Sequence, residues 1–125
     1  MILLVDSHTL LWAIGSPAEL TDGARAALID PANDVLVSAA SVWEIATKRA
    51  LGKLRAPQGI AAAIEALGFS AVPITAADAE RAGSLPPHNR DPFDRMLVAQ
   101  AARLDAVVVS RDRAFDAYDV PVLRA

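Results

Sequence analysis

Cysteine is absent from the sequence, and histidine occurs only twice, as His8 and His88. Disulfide bonds, thiolate catalysis and the usual zinc sites built from cysteine and histidine are therefore excluded. With no convincing Ser-His-Asp arrangement, a catalytic histidine is not expected either. If the protein binds a metal ion, its ligands must be oxygen atoms.

Long apolar runs and an excess of basic residues are also missing. No stretch approaches the roughly 18 apolar residues of a membrane span, and no basic segment precedes the first apolar run, so we expect a cytoplasmic protein without a membrane contact. Lys and Arg number 12 against 15 Asp and Glu, giving a net charge of -3. This argues against a broad surface coated by nucleic acid, because such binding depends on neutralised phosphates. A local basic group remains available, since four cations lie within eight residues without an acid between them. They are Lys48, Arg49, Lys53 and Arg55.

The sequence does contain enough apolar residues for a core. Of its 125 residues, 54% are hydrophobic, and this length favours one domain over residues 1–125. Five short apolar runs lack polar alternation, as do strands buried on both faces of a parallel sheet. They are residues 1–5, 35–37, 69–74, 106–109 and 120–123. Helical stretches are predicted at residues 9–14, 21–29, 41–51, 58–67, 75–84 and 92–104. This alternation predicts a three-layer α/β/α fold around a mostly parallel five-stranded sheet.

Several residues mark the ends of these elements. Pro73 and Pro121 fall within two of the apolar runs, which predicts that those strands lie at the sheet edges. Asp91 precedes a proline, as a helix-capping residue does, and Gly52 and Gly68 stand where helices would end.

Acidic residues cluster around the ends of the predicted strands. Asp6 directly follows the first strand, and Asp112 follows the fourth. Glu44 lies in the helix after the second strand, while Asp91 and Asp94 open the helix before the fourth. Ligands of open parallel sheets bind beyond the carboxyl ends of the strands, near the point where strand order reverses. We therefore expect all five acids to approach one another there.

Such a cluster suits a hard divalent cation. Crowded carboxylates repel one another, and a Mg²⁺ ion relieves that repulsion by taking oxygen ligands. Paired ions about 3.5–4 Å apart can activate a water molecule and stabilise the leaving oxygen of a phosphodiester. Metal-assisted hydrolysis is the chemistry that these residues best support.

Each acid also has a structural alternative. Asp6 could cap the helix that follows it, and Ser41 with Glu44 matches the capping-box pattern. Asp91 could serve only as a cap, with Asp94 favoured by the helix dipole in the first turn. Asp112 could begin a last short helix, with Asp116 or Asp119 as the functional acid in its place. Among the other conspicuous residues, Trp12 and Trp43 are expected to anchor the core, with stacking on a nucleobase as the alternative. His8 is expected either to be buried or to lie behind the metal ligands.

Taken together, these motifs resemble the PIN-domain family, and in particular the VapC-type ribonuclease toxins of toxin–antitoxin pairs. The resemblance spans nearly the whole chain. Its parts are Leu3–Trp12, Val37–Lys48, Gly52–Leu54, His88–Ala101 and Val107–Asp112. It implies an α/β sandwich with an acidic Mg²⁺ or Mn²⁺ site that cuts RNA.

The resemblance also assigns roles to individual residues. The four acids of the family fall on Asp6, Glu44, Asp94 and Asp112, as catalytic residues and metal ligands; Glu44 could instead orient the attacking water. Asp91, Ser110 and Ser7 take supporting positions, although threonine is commoner at the last. Asn89 stands where a histidine is frequent, which leaves the role of its loop open. The family further implies a homodimer and a small antitoxin partner, while the basic residues from Lys48 to Arg55 would seat the RNA.

Two other functions are compatible with parts of this pattern. A non-catalytic RNA-binding module of the same fold would bind RNA without cutting it. A phospho-acceptor receiver domain also has about this length and an acidic Mg²⁺ pocket, but it expects an aspartate after the third strand. Here that strand ends at Ile74 and Thr75, which disfavours a receiver.

Overall fold

The five predicted strands form one sheet in the computed structural model, which describes residues 1–125. The strands are β1 (Ile2–Val5), β2 (Asp34–Ser38), β3 (Ser70–Val72), β4 (Val107–Ser110) and β5 (Val122–Arg124). All neighbouring pairs are parallel, and the strand order is β3-β2-β1-β4-β5. Pro73 directly follows β3 and Pro121 directly precedes β5. The two proline-containing runs are therefore edge strands, as the sequence predicted.

The strand order fixes where a ligand site is expected. The chain proceeds from the central β1 outward to β2 and β3, and then crosses back to β4 on the other side of β1. The reversal lies between β1 and β4, whose ends are in register because Val5 pairs with Val109. Receiver domains of the flavodoxin-like class have the order 2-1-3-4-5. The observed order excludes that alternative.

Six α-helices connect the strands. They are α1 (Ser7–Gly15), α2 (Asp22–Ile29), α3 (Ala39–Ala50), α4 (Ile60–Ala66), α5 (Ala76–Ser84) and α6 (Pro92–Leu104). Two 3₁₀ turns cover Pro17–Glu19 and Arg113–Ala117. Every predicted helical stretch contains a helix, with ends shifted by a few residues. None of the helices combines the length and apolar character that crossing a membrane requires.

Local chemistry explains most helix ends. Asp91 caps α6 by accepting hydrogen bonds from the amides of Phe93 and Asp94, at 2.8 and 3.2 Å. Gly52 and Gly68 follow α3 and α4 with φ of 71° and 76°, a left-handed conformation that glycine adopts without steric cost. These three predictions are confirmed.

The proposed capping box at Ser41 and Glu44 is wrong. Helix α3 begins earlier, at Ala39, because Ser38 at the end of β2 is its cap and accepts a hydrogen bond from the amide of Ala40 at 3.0 Å. Glu44 is therefore in the interior of α3, one turn beyond the positions that caps occupy.

The core lies on both faces of the sheet, which gives the three predicted layers. Alternate residues of β1 point to opposite sides, so that Leu3 and Val5 join one apolar cluster and Leu4 joins the other. Helices α1, α2 and α4 cover the first face, together with Ile45 of α3. Helix α6 covers the second face, and α5 packs against α6. The carboxyl ends of the central strands are left open between α1, α3 and α6.

Candidate active site

All five predicted acids line one cleft of about 310 Å³ at the carboxyl ends of the central strands. The cleft lies beside the reversal point between β1 and β4, as the sequence predicted. It is lined by Asp6, Ser7, His8, Trp12, Glu44, Lys48, Asp91, Asp94, Arg111 and Asp112. Only Trp12 among these is a large apolar side chain, so the cleft is built for charged or polar ligands.

Asp6 and Asp112 are joined through the buried hydroxyl of Ser110. The Ser110 Oγ donates to Asp6 Oδ2 at 2.5 Å and accepts from the Asp112 amide at 3.0 Å. The other oxygen of Asp6 caps α1 through the amide of Thr9, at 2.9 Å. Asp112 caps the last 3₁₀ turn with Oδ1 through the amide of Ala114 and leaves Oδ2 without a partner. Both acids therefore combine a capping role with a position in the cleft.

Asp94 is held by Asn89 from the loop before α6. The Asn89 Nδ2 donates to Asp94 Oδ2 at 3.0 Å, while its Oδ1 accepts from the amide of Asp91 at 2.9 Å. The second oxygen of Asp94 accepts no hydrogen bond. Asn89 thus orients Asp94 and holds the capping residue Asp91 in place. The sequence did not predict this role.

The environment of Asp94 favours its protonated form. Burial, followed by the charges of Asp91, Asp112 and Asp6, raises the pKa of Asp94 to about 7, although the hydrogen bond from Asn89 opposes this. The negative charges of three other acids of the cleft therefore disfavour the ionised form of Asp94. Such mutual repulsion is the cost that a bound divalent cation would relieve.

This pKa has a consequence for stability without metal. In the unfolded chain Asp94 ionises near the ordinary value of 3.8, whereas in the folded protein it resists ionisation up to about 7. The folded state binds the proton more tightly, so the free energy of unfolding should fall as pH rises through this window. We expect Asp94→Asn to raise the melting temperature in chelator at about pH 8 and to change it little at about pH 4.

Thermal unfolding of both proteins at the two pH values checks this expectation. Asp119→Asn is a suitable control, because Asp119 is exposed and makes no hydrogen bond or ion pair. A large loss of melting temperature in Asp94→Asn would instead mean that the carboxylate stabilises the start of α6.

Glu44 is nearly buried and both of its oxygens are engaged. Oε1 accepts a hydrogen bond from Ser7 Oγ, and Oε2 is 2.7 Å from the Nζ of Lys48. The hydrogen bond with Glu44, together with the charges of Glu44, Asp91 and Asp94, raises the pKa of Lys48 above its ordinary value. Lys48 therefore remains an ammonium ion inside the acidic cleft.

The donor set fits a hard divalent cation in its chemistry, while the acids stand further apart than the ligands of one ion. No group of three or more carboxylates or imidazoles has the spacing of metal ligands. Asp94 and Asp112 each offer one oxygen without a hydrogen bond, and the partner of Asp6 Oδ2 is a hydroxyl, which can reorient. Carboxylate oxygens with few imidazoles nearby are the ligands of Mg²⁺ or Mn²⁺. Binding requires these side chains to turn toward one another.

One wall of the cleft is aromatic and cationic. The guanidinium of Arg111 lies 4.2 Å from the ring centre of Trp12, and the ring of His8 is 5.9 Å from it. Arg111 was missed in the sequence, although it lies between Ser110 and Asp112. His8 is exposed and lines the cleft beside the acids, so of its two expected places, in the core or behind the metal ligands, burial in the core is wrong. Trp12 is partly buried against the apolar core and also lines the cleft.

The expected burial of Trp43 is also wrong. Its side chain is 63% exposed and packs edge to face against Phe93, with ring centres 5.2 Å apart. Trp43 and Phe93 immediately precede Glu44 and Asp94, whose side chains point into the cleft. This pair therefore forms an exposed aromatic surface next to the cleft.

The four basic residues predicted to bind RNA have different surroundings in the structure. Lys48 is in the cleft, whereas Arg49 donates from Nε to the carbonyl of Ala56 at 3.0 Å and braces the loop after α3. Arg55 lines an adjoining depression that also includes His8 and Trp12. Lys53 is exposed, and its side chain makes no hydrogen bond. Their contact with RNA stays a prediction.

A larger cavity, of about 530 Å³, lies at the amino ends of the strands, opposite the acidic cleft. It borders the beginnings of β2 and β3 and the end of α2. None of the acids in the cleft lines it, so the chemistry expected from the sequence belongs to the smaller site.

The fold and the cleft together define an α/β protein with an acidic centre at the reversal point of a parallel sheet. The chain belongs to the PIN-domain family, whose sequence profile matches residues 3–121. This membership confirms the family resemblance seen in the motifs. No curated protein matches the sequence significantly.

Several solved structures share the fold, and some of them come from toxin–antitoxin systems. VapBC2 from Rickettsia felis, bound to a DNA fragment from its promoter, superposes with a TM-score of 0.71 at 14% identity, covering 99% of this chain and 98% of that one. FitAcB from Neisseria gonorrhoeae gives 0.63 at 21% identity, with 98% and 96% covered. VapBC-5 from Mycobacterium tuberculosis gives 0.64 at 19% identity, with 99% and 98% covered. At these identities, the likeness establishes the fold.

Proposed function

We propose that the protein is a metal-dependent endoribonuclease that hydrolyses RNA phosphodiester bonds. The observation that carries this proposal is the meeting of Asp6, Asp94 and Asp112 in one cleft at the reversal point of the sheet. Asp94 and Asp112 each have one oxygen that accepts no hydrogen bond, and the partner of Asp6 Oδ2 is a hydroxyl that can reorient. These carboxylate oxygens match the ligands of a hard cation. Membership of the PIN-domain family supports the same chemistry.

The residues of the cleft have different roles in this mechanism. Asp6, Asp94 and Asp112 would hold Mg²⁺ or Mn²⁺, which supplies an activated water molecule and stabilises the leaving oxygen. Ser110 keeps Asp6 and Asp112 together, and Asn89 orients Asp94. Asp91 fixes the start of α6, and Ser7 fixes Glu44. Glu44 would ligate a metal ion or orient the water, while Lys48, Arg49, Lys53 and Arg55 would contact the RNA backbone.

We also propose that the protein is the toxin of a toxin–antitoxin pair and that it forms a homodimer. The support is the fold shared with VapBC-5 and the other toxin–antitoxin complexes. Exposed apolar side chains such as Trp43 and Ile29 are available for contacts with a second copy or an antitoxin. The cytoplasmic location expected from the sequence stays a prediction.

Incubation of the purified protein with total cellular RNA tests the nuclease activity. We expect new RNA ends with Mn²⁺ or Mg²⁺ and none with chelator, because the carboxylates alone supply no activated water. Restoring the divalent ion after chelation should restore cleavage. Mapping of the new ends would then give the target sequence.

Two outcomes would count against the proposal. Cleavage that is unchanged in chelator would exclude the metal mechanism. Retention of RNA on the protein without any cleavage in Mn²⁺ would favour the non-catalytic RNA-binding module.

A further inference from the structure

Lys48 places a positive charge inside the acidic cleft. It lies one helical turn after Glu44 on α3, with Nζ 2.7 Å from Glu44 Oε2. The Glu44 side chain is only 11% exposed and that of Lys48 39%. The carboxylate of the pair is therefore shielded from water, whereas the lysine side chain is partly exposed. Its ammonium group lines the same cleft as the aspartates.

The contacts of Glu44 leave it no free oxygen. Ser7 Oγ donates to Oε1 and Lys48 donates to Oε2. The Ser7 hydroxyl on Oε1 can reorient, as can the Ser110 hydroxyl on Asp6, but Glu44 is the only acid lining the cleft whose charge is paired with a cation. Asp94 and Asp112, by contrast, each keep one oxygen that accepts no hydrogen bond.

The two basic side chains that line the cleft, Lys48 and Arg111, differ in their partners. Among the cations lining it, Lys48 is the one that forms an ion pair with an acid, because Arg111 donates instead to the carbonyls of Glu19 and Ala125 and stacks on Trp12. Two-metal centres place their ions about 3.5–4 Å apart and share carboxylates between them. A second divalent ion next to Glu44 would be repelled by the ammonium already there.

We propose that Lys48 is a built-in cation that takes the place of a second metal ion, so that the cleft binds one divalent ion through Asp6, Asp94 and Asp112. Glu44 then serves to hold the ammonium in the cleft and is not a ligand of that ion. The inference rests on the proposed metal-dependent function and specifies how many ions that function uses.

The number of bound Mn²⁺ ions tests this directly. Titration of the purified protein, followed by calorimetry and by the electron paramagnetic resonance of free Mn²⁺, is expected to give one tight site per chain. Lys48→Met keeps most of the side-chain volume but removes the charge, and it frees Glu44. We expect this variant to bind a second Mn²⁺ ion.

Two further variants sharpen the test. Lys53→Met removes the same charge from an exposed residue outside the cleft and should leave one site. Glu44→Gln can still accept from Lys48 through its amide oxygen, while its amide nitrogen would donate to Ser7 Oγ in place of the bond it now accepts. This variant should change the affinity of the first ion by less than about threefold. Loss of a true ligand should weaken binding by more than about 10-fold, because removal of a residue that only supports a ligand already costs about that much. Circular dichroism would confirm that each variant is folded.

Each result has a distinct meaning. Two sites in the wild-type protein, one site in Lys48→Met, or loss of the first ion in Glu44→Gln would overturn the role assigned to Lys48. Absence of Mn²⁺ binding in every protein would instead refute the proposed metal-dependent function itself.

Discussion

Replacement of Asp6 by asparagine should slow RNA cleavage at least about a hundredfold, because even residues that only support a metal ligand contribute about 10- to 100-fold. Asp6 lies at the end of the central strand, beside the reversal point, and is only 8% exposed. It would contribute its charge at the place where the metal ion binds. The neutral amide keeps the shape of the side chain but is a much weaker ligand for a hard cation.

The asparagine variant separates catalysis from folding. An amide oxygen can still accept the hydrogen bond from the Thr9 amide, so the cap of α1 is retained. Removing one carboxylate also reduces the repulsion on Asp94. We therefore expect the metal-free variant to be at least as stable as the wild type, as measured by thermal unfolding in chelator.

The comparison protein is Asp119→Asn, which removes a carboxylate outside the acidic cleft. Initial rates of cleavage should be measured for both variants over a range of Mn²⁺ concentrations. Cutting by Asp6→Asn at the wild-type rate would sink its assignment as a metal ligand. An equal loss in Asp119→Asn would show that the assay reports overall charge.

Replacement of Arg95 by methionine should lower the free energy of unfolding by about 2–4 kcal/mol, because it leaves several half-buried carbonyl groups without a donor. Arg95 lies on α6, and its guanidinium donates to five backbone carbonyls in the last turn of α5 and in the segment that joins α5 to α6. These are the carbonyls of Ala82, Gly83, Leu85, Pro86 and Asn89. It also donates to the hydroxyl of Tyr118 at 3.3 Å.

The same network positions the active site. The Tyr118 hydroxyl donates to the carbonyl of Pro86 at 2.8 Å and accepts from the Asn89 amide at 3.0 Å. Because Asn89 orients Asp94, loosening this segment should also reduce the affinity for Mn²⁺. The effect on stability and the effect on metal binding have one cause.

Urea unfolding of Arg95→Met, with Arg113→Met as the control, measures the loss. Arg113 is exposed and makes no hydrogen bond through its side chain, so its replacement should change the stability by less than about 0.5 kcal/mol. Arg95→Lys should recover only part of the stability, since an ammonium group cannot reproduce the five-donor fork of a guanidinium. Equal stabilities of Arg95→Met and the control would contradict the role of this network.

Proline and glycine predicted the ends of strands and helices correctly, because the backbone at those positions favours these residue types. Pro73 and Pro121 marked the edge strands because proline has no amide hydrogen for a sheet ladder. Gly52 and Gly68 marked helix ends because the left-handed conformation found there strains other residues.

Capping patterns were less reliable, because they fit more than one position. Ser41 and Glu44 match a capping box but lie inside α3, whereas Thr75 and Asp78 form a true box at the start of α5. The difference is set by where the preceding strand ends. Ser38 finishes β2 and is itself able to cap, so α3 begins before Ser41.

Burial of single aromatic residues could not be predicted from the sequence. Trp43 is on the same helix as the fully buried Ile45 but faces outward, toward Phe93 of α6. Which face of α3 is covered depends on the crossing of α3 and α6, two helices that lie far apart along the chain.

The sequence by itself determined the fold class, the edge strands and the set of acids around the strand ends, because apolar runs, prolines and strand-end positions act over a few residues. Only the tertiary structure decided how those acids are partnered. Ser110 links Asp6 to Asp112, Asn89 holds Asp94, and Lys48 with Ser7 occupies Glu44. Most of these contacts join different strands and helices, and distances between separate elements depend on packing that no local pattern encodes.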